Sequence, residues 1–131
     1  MVFSIACVDR GLTKAATGER MKTRKKVLVI DDDKDFGLAL TYFFATKPYT
    51  LLLAYTLAEG MTAIEKERPD HVFLDNGLPD GEGWAKAEYI MAHYPQIQIN
   101  LISAMRIPKP ITVARILDKP ISLNDFLLCL D

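Results

Sequence analysis

The sequence contains few cysteines, no long apolar run and almost no net charge. Cys7 and Cys129 are the only cysteines among 131 residues, which excludes a disulfide-rich scaffold and a zinc site and favours a reducing compartment. The short apolar start runs into Asp9-Arg10 and lacks a positive leader, so we predict neither a signal peptide nor a bilayer-spanning segment. A formal net charge of -1 gives no electrostatic basis for binding nucleic acid. We therefore expect a cytoplasmic protein without nucleic-acid or membrane partners.

The chain divides into two parts by sequence pattern. Residues 1–24 have no clear hydrophobic period, and we predict an N-terminal tail that is flexible or a non-native start, with Met21 as the alternative initiator. Residues 25–131 have the length of one domain with a single sizeable core. The domain organisation predicted here is therefore a tail followed by one folded unit.

Strands alternate with helices throughout the second part. Short continuous apolar runs are typical of strands that are buried on both faces, and we predict them at about 27–30, 49–55, 71–75, 97–103 and 115–118. Helical patterns occupy about 34–46, 57–68, 82–93 and 123–130. Asp33, Thr56 and Ser122 stand where N-caps are expected. Strands and helices that alternate with short loops predict right-handed βαβ units around a parallel sheet.

Charged residues directly follow three of the predicted strands. Asp31 and Asp32 follow the first strand, Asp75 ends the third, and Lys119 follows the fifth. Ser103 ends the fourth strand. Because the carboxyl ends of parallel strands line the ligand crevice of an open sheet, we expect these side chains to meet. Three carboxylates and one ammonium predict a site for a divalent metal and a phosphoryl group.

The chemistry of such a site assigns a task to each group. A carboxylate can attack phosphorus and become an aspartyl phosphate, and we predict Asp75 as this nucleophile. Mg²⁺ prefers one or two carboxylates plus water, so Asp32 and Asp75 are predicted ligands and Asp31 holds a coordinated water. Lys119 and the hydroxyl of Ser103 are predicted to contact phosphoryl oxygens.

Four motifs in this order resemble the receiver domain of bacterial two-component response regulators. They are KVLVIDDDKDF, VFLDNGLPDGEG, LISA and LDKP, and the resemblance covers about Lys25 to the C-terminus. It implies a flavodoxin-like, doubly wound five-stranded parallel sheet in the order 2-1-3-4-5. It also implies that Asp75 accepts phosphate from the histidine of a sensor kinase or phosphotransfer protein, and that the main-chain carbonyl of Gly77 joins the acidic pair in binding Mg²⁺. The resemblance further implies a cis peptide bond at Lys119-Pro120.

One segment departs from the family pattern. The stretch between Ser103 and Lys119 is about six residues shorter than in receivers, which corresponds to ~9 Å of helix. It contains Pro108 and Pro110, each of which removes a helix donor. We therefore predict that the fourth helix is reduced or absent and that residues 105–113 form an irregular loop. Ile116 also replaces the aromatic residue that receivers commonly have three positions before the lysine.

The shortened segment has consequences for the expected partners. A sheet face without its helix exposes apolar surface, and Ile107, Ile111 and Val113 are predicted at a contact with a partner or in a homodimer. We expect the downstream target to be an unidentified separate protein, with no effector domain attached after Asp131. We expect no enzymatic activity beyond phosphorylation and dephosphorylation of the chain itself.

Three other functions fit parts of the sequence. A pseudo-receiver would keep the fold as a protein-binding module without phosphorylation, and the shortened segment motivates this alternative. A haloacid-dehalogenase-type phosphatase would use Asp31 and Asp33 as its DxD opening, but Asp35 stands where that class has Thr or Val. A calcium loop of the EF-hand type is rejected, because Phe36 occupies its glycine position.

Overall fold

The computed structural model describes residues 2–4, 24–103 and 115–130. Within them the strands are β1 Val2–Ser4, β2 Lys25–Ile30, β3 Tyr49–Ala54, β4 His71–Asp75, β5 Gly77–Leu78, β6 Gly81–Glu82, β7 Gln98–Ser103 and β8 Arg115–Asp118. The helices are α1 Lys34–Phe44, α2 Leu57–Glu67, α3 Ala87–His93 and α4 Leu123–Leu128, with a 3₁₀ helix at Gly83–Lys86 directly before α3. No described helix is both long and apolar enough to cross a bilayer.

The main sheet has the strand order β1-β3-β2-β4-β7-β8. Five of its strands, from β3 to β8 in this order, are parallel to their neighbours. Taken across the sheet, β3, β2, β4, β7 and β8 correspond to the second, first, third, fourth and fifth strands that the sequence predicts. The predicted 2-1-3-4-5 parallel sheet is therefore confirmed.

Two cores lie on opposite faces of this sheet, because side chains alternate in direction along each strand. In β2, Leu28 and Ile30 belong to the core under α2 and α3, while Val27 and Val29 belong to the core under α1 and α4. All four side chains are at most 2% exposed. Burial on both faces explains why the strand is a continuous apolar run rather than an alternating one.

An aromatic cluster fixes α4 against the sheet near the site. The ring of Phe126 in α4 stacks on Phe73 of β4, with 3.9 Å between ring centroids. It also makes edge contacts with Phe36 and Phe44 of α1. Phe73 is two residues before Asp75 on the same strand and therefore on the same face of the sheet. The packing of α4 is thus coupled to the strand that carries the predicted phosphorylation site.

The N-terminal segment contributes one element that the sequence pattern did not indicate. Val2–Ser4, assigned to the tail, forms β1 and pairs antiparallel with Leu52–Ala54 of β3. The outer edge of β3 carries unpaired N–H and C=O groups, and an extended segment satisfies them. Met1 and residues 5–23 of the predicted tail lie outside the described residues.

Two further expectations concern element boundaries. The third helix was predicted from about Glu82, but Gly81–Glu82 forms a short antiparallel hairpin with Gly77–Leu78, and α3 begins only at Ala87. The segment 105–113, with the predicted loop in place of the fourth helix and the contact residues Ile107, Ile111 and Val113, lies outside the described residues. Those statements stay predictions.

Candidate functional site

Four strand ends meet at the carboxyl edge of the sheet. Ile30 and Leu74 are partners in the β2–β4 ladder, so Asp31 and Asp75, the next residues, lie side by side. Ser103 is the partner of Asp118 in the β7–β8 ladder, and its carbonyl accepts a hydrogen bond from the N–H of Lys119 at 2.7 Å. The parallel sheet therefore brings together residues that are between 16 and 88 positions apart in the sequence.

The predicted acidic residues form one cluster. Asp31, Asp32 and Asp75 each contribute a carboxylate oxygen, and these oxygens lie within 4.8 Å of one another. The Lys119 ammonium lies 3.0 Å from Oδ2 of Asp31 and 3.6 Å from Oδ1 of Asp75. Asp31 and Asp75 are buried, whereas Asp32 is exposed. Four of the predicted site residues thus lie close enough together to form ion pairs or to bind one metal ion: Asp31, Asp32, Asp75 and Lys119.

Of the three acidic residues after β2, Asp31 and Asp32 belong to the acidic cluster and Asp33 caps α1. Asp33 is the N-cap of α1, and its Oδ1 accepts hydrogen bonds from Asp35 N and Phe36 N at 3.0 and 3.1 Å. The N–H of Asp33 in turn donates to Oδ1 of Asp31 at 3.0 Å. The predicted cap is confirmed. Its use as a cap argues against the DxD phosphatase alternative, in which Asp33 would face the substrate.

Gly77 and Ser103 occupy the positions expected from the sequence. Gly77 opens the β5–β6 hairpin, two residues after Asp75, and Ser103 is a buried residue at the end of β7. The Lys119-Pro120 peptide bond is cis, as predicted. Gly77 carries no side chain, so only its main chain can serve as a ligand.

The charge balance of the cluster shifts the pKa of Asp75. Burial, together with repulsion by Asp31, raises the pKa of Asp75 from 3.8 to about 6. Attraction by Lys119 and a hydrogen bond from the N–H of Asn76 offset part of this shift. A cation at the cluster would relieve the repulsion that remains.

For Lys119, the nearby charges outweigh the effect of burial on the pKa. Burial lowers the pKa of Lys119, but its close pair with Asp31 and the negative charges of Asp31, Asp75 and Asp33 raise it above the ordinary value. Lys119 therefore remains an ammonium at neutral pH. It can meet anionic oxygens at the site without first taking up a proton.

The acidic cluster fits a divalent cation. Oδ2 of Asp31 is buried, and apart from Lys119 it has no partner among the described residues. Three carboxylates share this one ammonium, so negative charge remains that a second cation would compensate. Hard cations such as Mg²⁺ prefer oxygen ligands, and this cluster offers three carboxylates. The residues present therefore suit Mg²⁺ rather than a softer metal.

Three residues near the site were not assigned a role from the sequence. Asn76 accepts a hydrogen bond from Trp84 N through its side chain and from Gly83 N through its carbonyl, each at 3.1 Å. A Cβ on Gly83 would collide with the carbonyl oxygen of Asp75. Asp80 binds the first turn of α2. Only the Asn-Gly and Pro-Asp-Gly turn signals could have pointed to this loop.

The two histidines lie away from the cluster. His71 is buried at the start of β4, at the end of the strand opposite Asp75. His93 ends α3 and stacks on Tyr89, with 4.0 Å between ring centroids. Neither histidine therefore belongs to the acidic cluster.

The chain belongs to the response regulator receiver family, because the family model described as "Response regulator receiver domain" matches residues 27–128. It is 29% identical over 72 residues to the acid tolerance regulatory protein ActR of Sinorhizobium medicae (strain WSM419), which covers 55% of this chain and 37% of that relative. The chain thus spans less than half the length of this curated relative. The predicted family is confirmed.

Two solved structures illustrate the similarity in fold. A two-component response regulator from Clostridium difficile is 27% identical with a TM-score of 0.73, over 82% of this chain and 93% of that chain. A response regulator protein from Burkholderia pseudomallei is 19% identical with a TM-score of 0.69, over 82% and 66% of the two chains. That structure contains a phosphorylated aspartic acid, a calcium ion and citrate. The flavodoxin-like fold predicted from the sequence is confirmed.

Proposed function

We propose that this chain is a phospho-acceptor receiver of a two-component phosphorelay. Asp75 takes a phosphoryl group from a histidine kinase or phosphotransfer protein in a Mg²⁺-dependent reaction, and the phosphorylated domain signals by contact with another protein. The proposal assigns the chain no substrate other than its own aspartate. It places the reaction in the cytoplasm, which the low cysteine content favours.

One observation carries the proposal: a buried carboxylate, Asp75, lies beside an acidic pair and an ammonium at the carboxyl edge of a parallel sheet. Asp31 and Asp32 supply oxygens within 4.8 Å. Lys119 supplies a cation at 3.6 Å from Oδ1 of Asp75. A phosphoryl group on Asp75 would therefore have opposite charge within reach, which is the main requirement of phosphoryl transfer.

The transfer exchanges one bond at phosphorus for another. A carboxylate oxygen of Asp75 forms the new bond, the phosphorus–nitrogen bond to the partner histidine breaks, and the nitrogen keeps the electron pair. Because the pKa of Asp75 is raised only to about 6, this carboxylate is mostly ionised at neutral pH and can act as the nucleophile. Lys119 is placed to balance charge on a phosphoryl oxygen after transfer.

Asp32, Asp75 and the carbonyl of Gly77 are the groups we assign to the metal, with Asp31 holding a coordinated water. When bound, Mg²⁺ offsets the negative charge on the phosphoryl oxygens. The carboxylate oxygens of Asp31, Asp32 and Asp75, which lie within 4.8 Å of one another, support this assignment. The calcium ion and phosphorylated aspartic acid in the Burkholderia pseudomallei response regulator support it by similarity of fold.

A cavity of about 330 Å³ beside the cluster gives a partner access. It is bounded by Asp33 and Phe36 at the start of α1 and by Lys119, Pro120 and Ile121 before α4. Its mixed lining can admit a side chain of the protein that carries the phosphohistidine. We propose that the phosphoryl donor approaches the cluster through this cavity.

The test is phosphorylation by a small donor. The protein is incubated with acetyl phosphate and Mg²⁺, and its intact mass is measured. We expect a gain of one phosphoryl group that disappears in Asp75→Asn and when EDTA removes the metal. Asp35→Asn is the matched control, because Asp35 is an exposed carboxylate near the site that does not belong to the acidic cluster.

Two results would overturn the proposal. An unchanged mass in the wild-type protein, with both acetyl phosphate and a phosphorylated histidine phosphotransfer protein as donors, would favour the pseudo-receiver alternative. A mass gain that persists in Asp75→Asn would place the phosphoryl group on another residue.

A further inference from the structure

The hairpin that follows Asp75 is tied to a distant helix. Asp80, at the tip of the β5–β6 hairpin, accepts hydrogen bonds from Leu57 N at 2.7 Å and from Ala58 N at 2.9 Å. These amides open α2, more than 20 residues earlier in the chain. An aspartate in a Pro-Asp-Gly turn ordinarily binds the backbone of its own turn. Asp80 also reaches across to another element.

The contact completes the cap of α2. The first four N–H groups of a helix have no partner inside the helix. Thr56 satisfies the N–H of Glu59 with its hydroxyl, at 3.1 Å, and its carbonyl accepts the first helical hydrogen bond, from Gly60 N at 3.0 Å. Asp80 satisfies the N–H groups of Leu57 and Ala58. Hydrogen bonds from Leu57 N and Ala58 N lower the pKa of Asp80, so the carboxylate is charged at neutral pH.

The other end of the hairpin is fixed at the phosphorylation site. The N–H of Asn76 donates to the carboxylate of Asp75. The side chain of Asn76 accepts from Trp84 N, and its carbonyl accepts from Gly83 N. Gly77, whose carbonyl we assign to the metal, lies between this fixed end and the tip held by Asp80. The hairpin therefore has two anchors, one on each side of the metal ligand.

We propose that Asp80 is a positioning residue for the metal and phosphoryl site: it clamps the hairpin onto α2 and thereby holds the Gly77 carbonyl in place. The inference rests on the proposed function. Without the clamp, the hairpin can pivot about Asn76, and the carbonyl loses its fixed distance from the carboxylates. Loss of groups that orient a metal ligand commonly weakens metal binding by 10- to 100-fold, and we expect about 10-fold here.

The experiment separates positioning from simple stabilisation. Mg²⁺ is titrated into the full chain, with the fluorescence of Trp84, the single tryptophan, and the heat of binding as two independent readouts. In Asp80→Ala we expect a Kd for Mg²⁺ about 10-fold higher than in wild type and slower phosphorylation by acetyl phosphate. Asp80→Asn keeps one acceptor oxygen and should fall between the two.

Two variants serve as matched controls. Thr56→Ala removes the other cap of the same helix without touching the hairpin, so it should lower the urea midpoint as Asp80→Ala does but leave the Kd for Mg²⁺ unchanged. Glu82→Gln removes an exposed charge from the same hairpin. It should change neither quantity, which shows that the effect of Asp80 is not long-range electrostatics.

The failures can be told apart. A wild-type protein that neither binds Mg²⁺ nor takes phosphate overturns the proposed function and this inference with it. A wild-type protein that does both, while Asp80→Ala has the same Kd and phosphorylation rate, overturns the positioning role alone. An equal rise of the Kd in Thr56→Ala would also overturn it, because the effect would then follow from helix stability.

Discussion

Lys119 pairs more closely with Asp31 than with the residue that it is expected to serve: Nζ lies 3.0 Å from Oδ2 of Asp31. Its distance to Oδ1 of Asp75 is 3.6 Å. In the unphosphorylated protein the ammonium thus compensates the acidic residues. A metal at the acidic cluster and a phosphoryl group on Asp75 would both favour release of Asp31 by Lys119. We therefore expect the partner of Lys119, either Asp31 or the phosphorylated Asp75, to depend on whether the site holds a metal and a phosphoryl group.

Lys119→Ala should separate acceptance of phosphate from its readout. We expect the variant to gain one phosphoryl group with acetyl phosphate and Mg²⁺ but to lose any phosphorylation-dependent binding or conformational change that the wild-type protein shows. It should also be less stable by about 2 kcal/mol, less than for a fully buried pair, because the Lys119 side chain is 27% exposed. Lys66→Ala, which removes an exposed lysine of α2, is the control. A variant that still switches would show that Lys119 has no part in the readout.

Asp32→Ala should weaken Mg²⁺ binding sharply, because it removes the proposed direct ligand, which is also the exposed member of the acidic cluster. A loss of about 10-fold or more is expected in a Mg²⁺ titration. The stability of the metal-free protein should change little, since surface substitutions usually have small effects. Asp35→Ala is the control on the adjoining helix turn. Equal Kd values in the two variants would mean that the ligand assignment is wrong.

The stability of the metal-free protein should depend on pH through Asp75. Burial and the nearby Asp31 raise the pKa of Asp75 from 3.8 in the unfolded chain to about 6 in the folded protein. The folded protein therefore binds a proton that the unfolded chain has released. Consequently the free energy of unfolding falls as pH rises from 3.8 through about 6. The full shift corresponds to about 3 kcal/mol.

Asp75→Asn isolates this contribution, because every other titrating group is common to both proteins. We expect the variant to be more stable than wild type at pH 7 in EDTA, by up to about 3 kcal/mol. The difference should shrink as the pH is lowered through the pKa of Asp75 and vanish below 3.8. Urea unfolding at a series of pH values measures it. A constant difference between the two proteins would contradict the raised pKa.

Gly83→Ala should disturb the site through the backbone. A Cβ at this position would collide with the carbonyl oxygen of Asp75 and lie 2.9 Å from Cδ1 of Leu74. We expect a loss of stability of about 1–3 kcal/mol together with reduced phosphorylation. Gly77→Ala is the matched control, because a Cβ there meets nothing within 4 Å and the carbonyl is kept. Equal behaviour of the two variants would contradict the close packing at Gly83.

The segment between Ser103 and Arg115 leaves one prediction from the sequence open. Two prolines and the shortened length predict a loop there, and the contact residues Ile107, Ile111 and Val113 depend on it. Hydrogen exchange of residues 105–113 would test the loop, and sedimentation of the protein with and without acetyl phosphate would test a homodimer. Slow exchange over two or more helical turns would contradict the loop.

The sequence by itself determined the parallel sheet and the placement of the chemistry. The apolar runs that end on Asp31, Asp75 and Lys119 indicate the parallel sheet, because burial on two faces requires continuous apolar residues. They also indicate where the charged groups meet, because parallel strands present their carboxyl ends on one edge. The caps at Asp33 and Thr56 were equally predictable, since a cap is a local interaction within one turn.

Only the tertiary structure decided how these groups share their charges and which loops are tied down. The pKa of Asp75 and the preference of Lys119 for Asp31 depend on distances of a few ångströms between separate strands, and the hydrophobic pattern of a strand does not specify such distances. The clamp between Asp80 and α2, and the pairing of Val2–Ser4 with β3, join segments far apart in the chain. Such contacts form only once the fold has brought their backbone donors and acceptors within hydrogen-bond range.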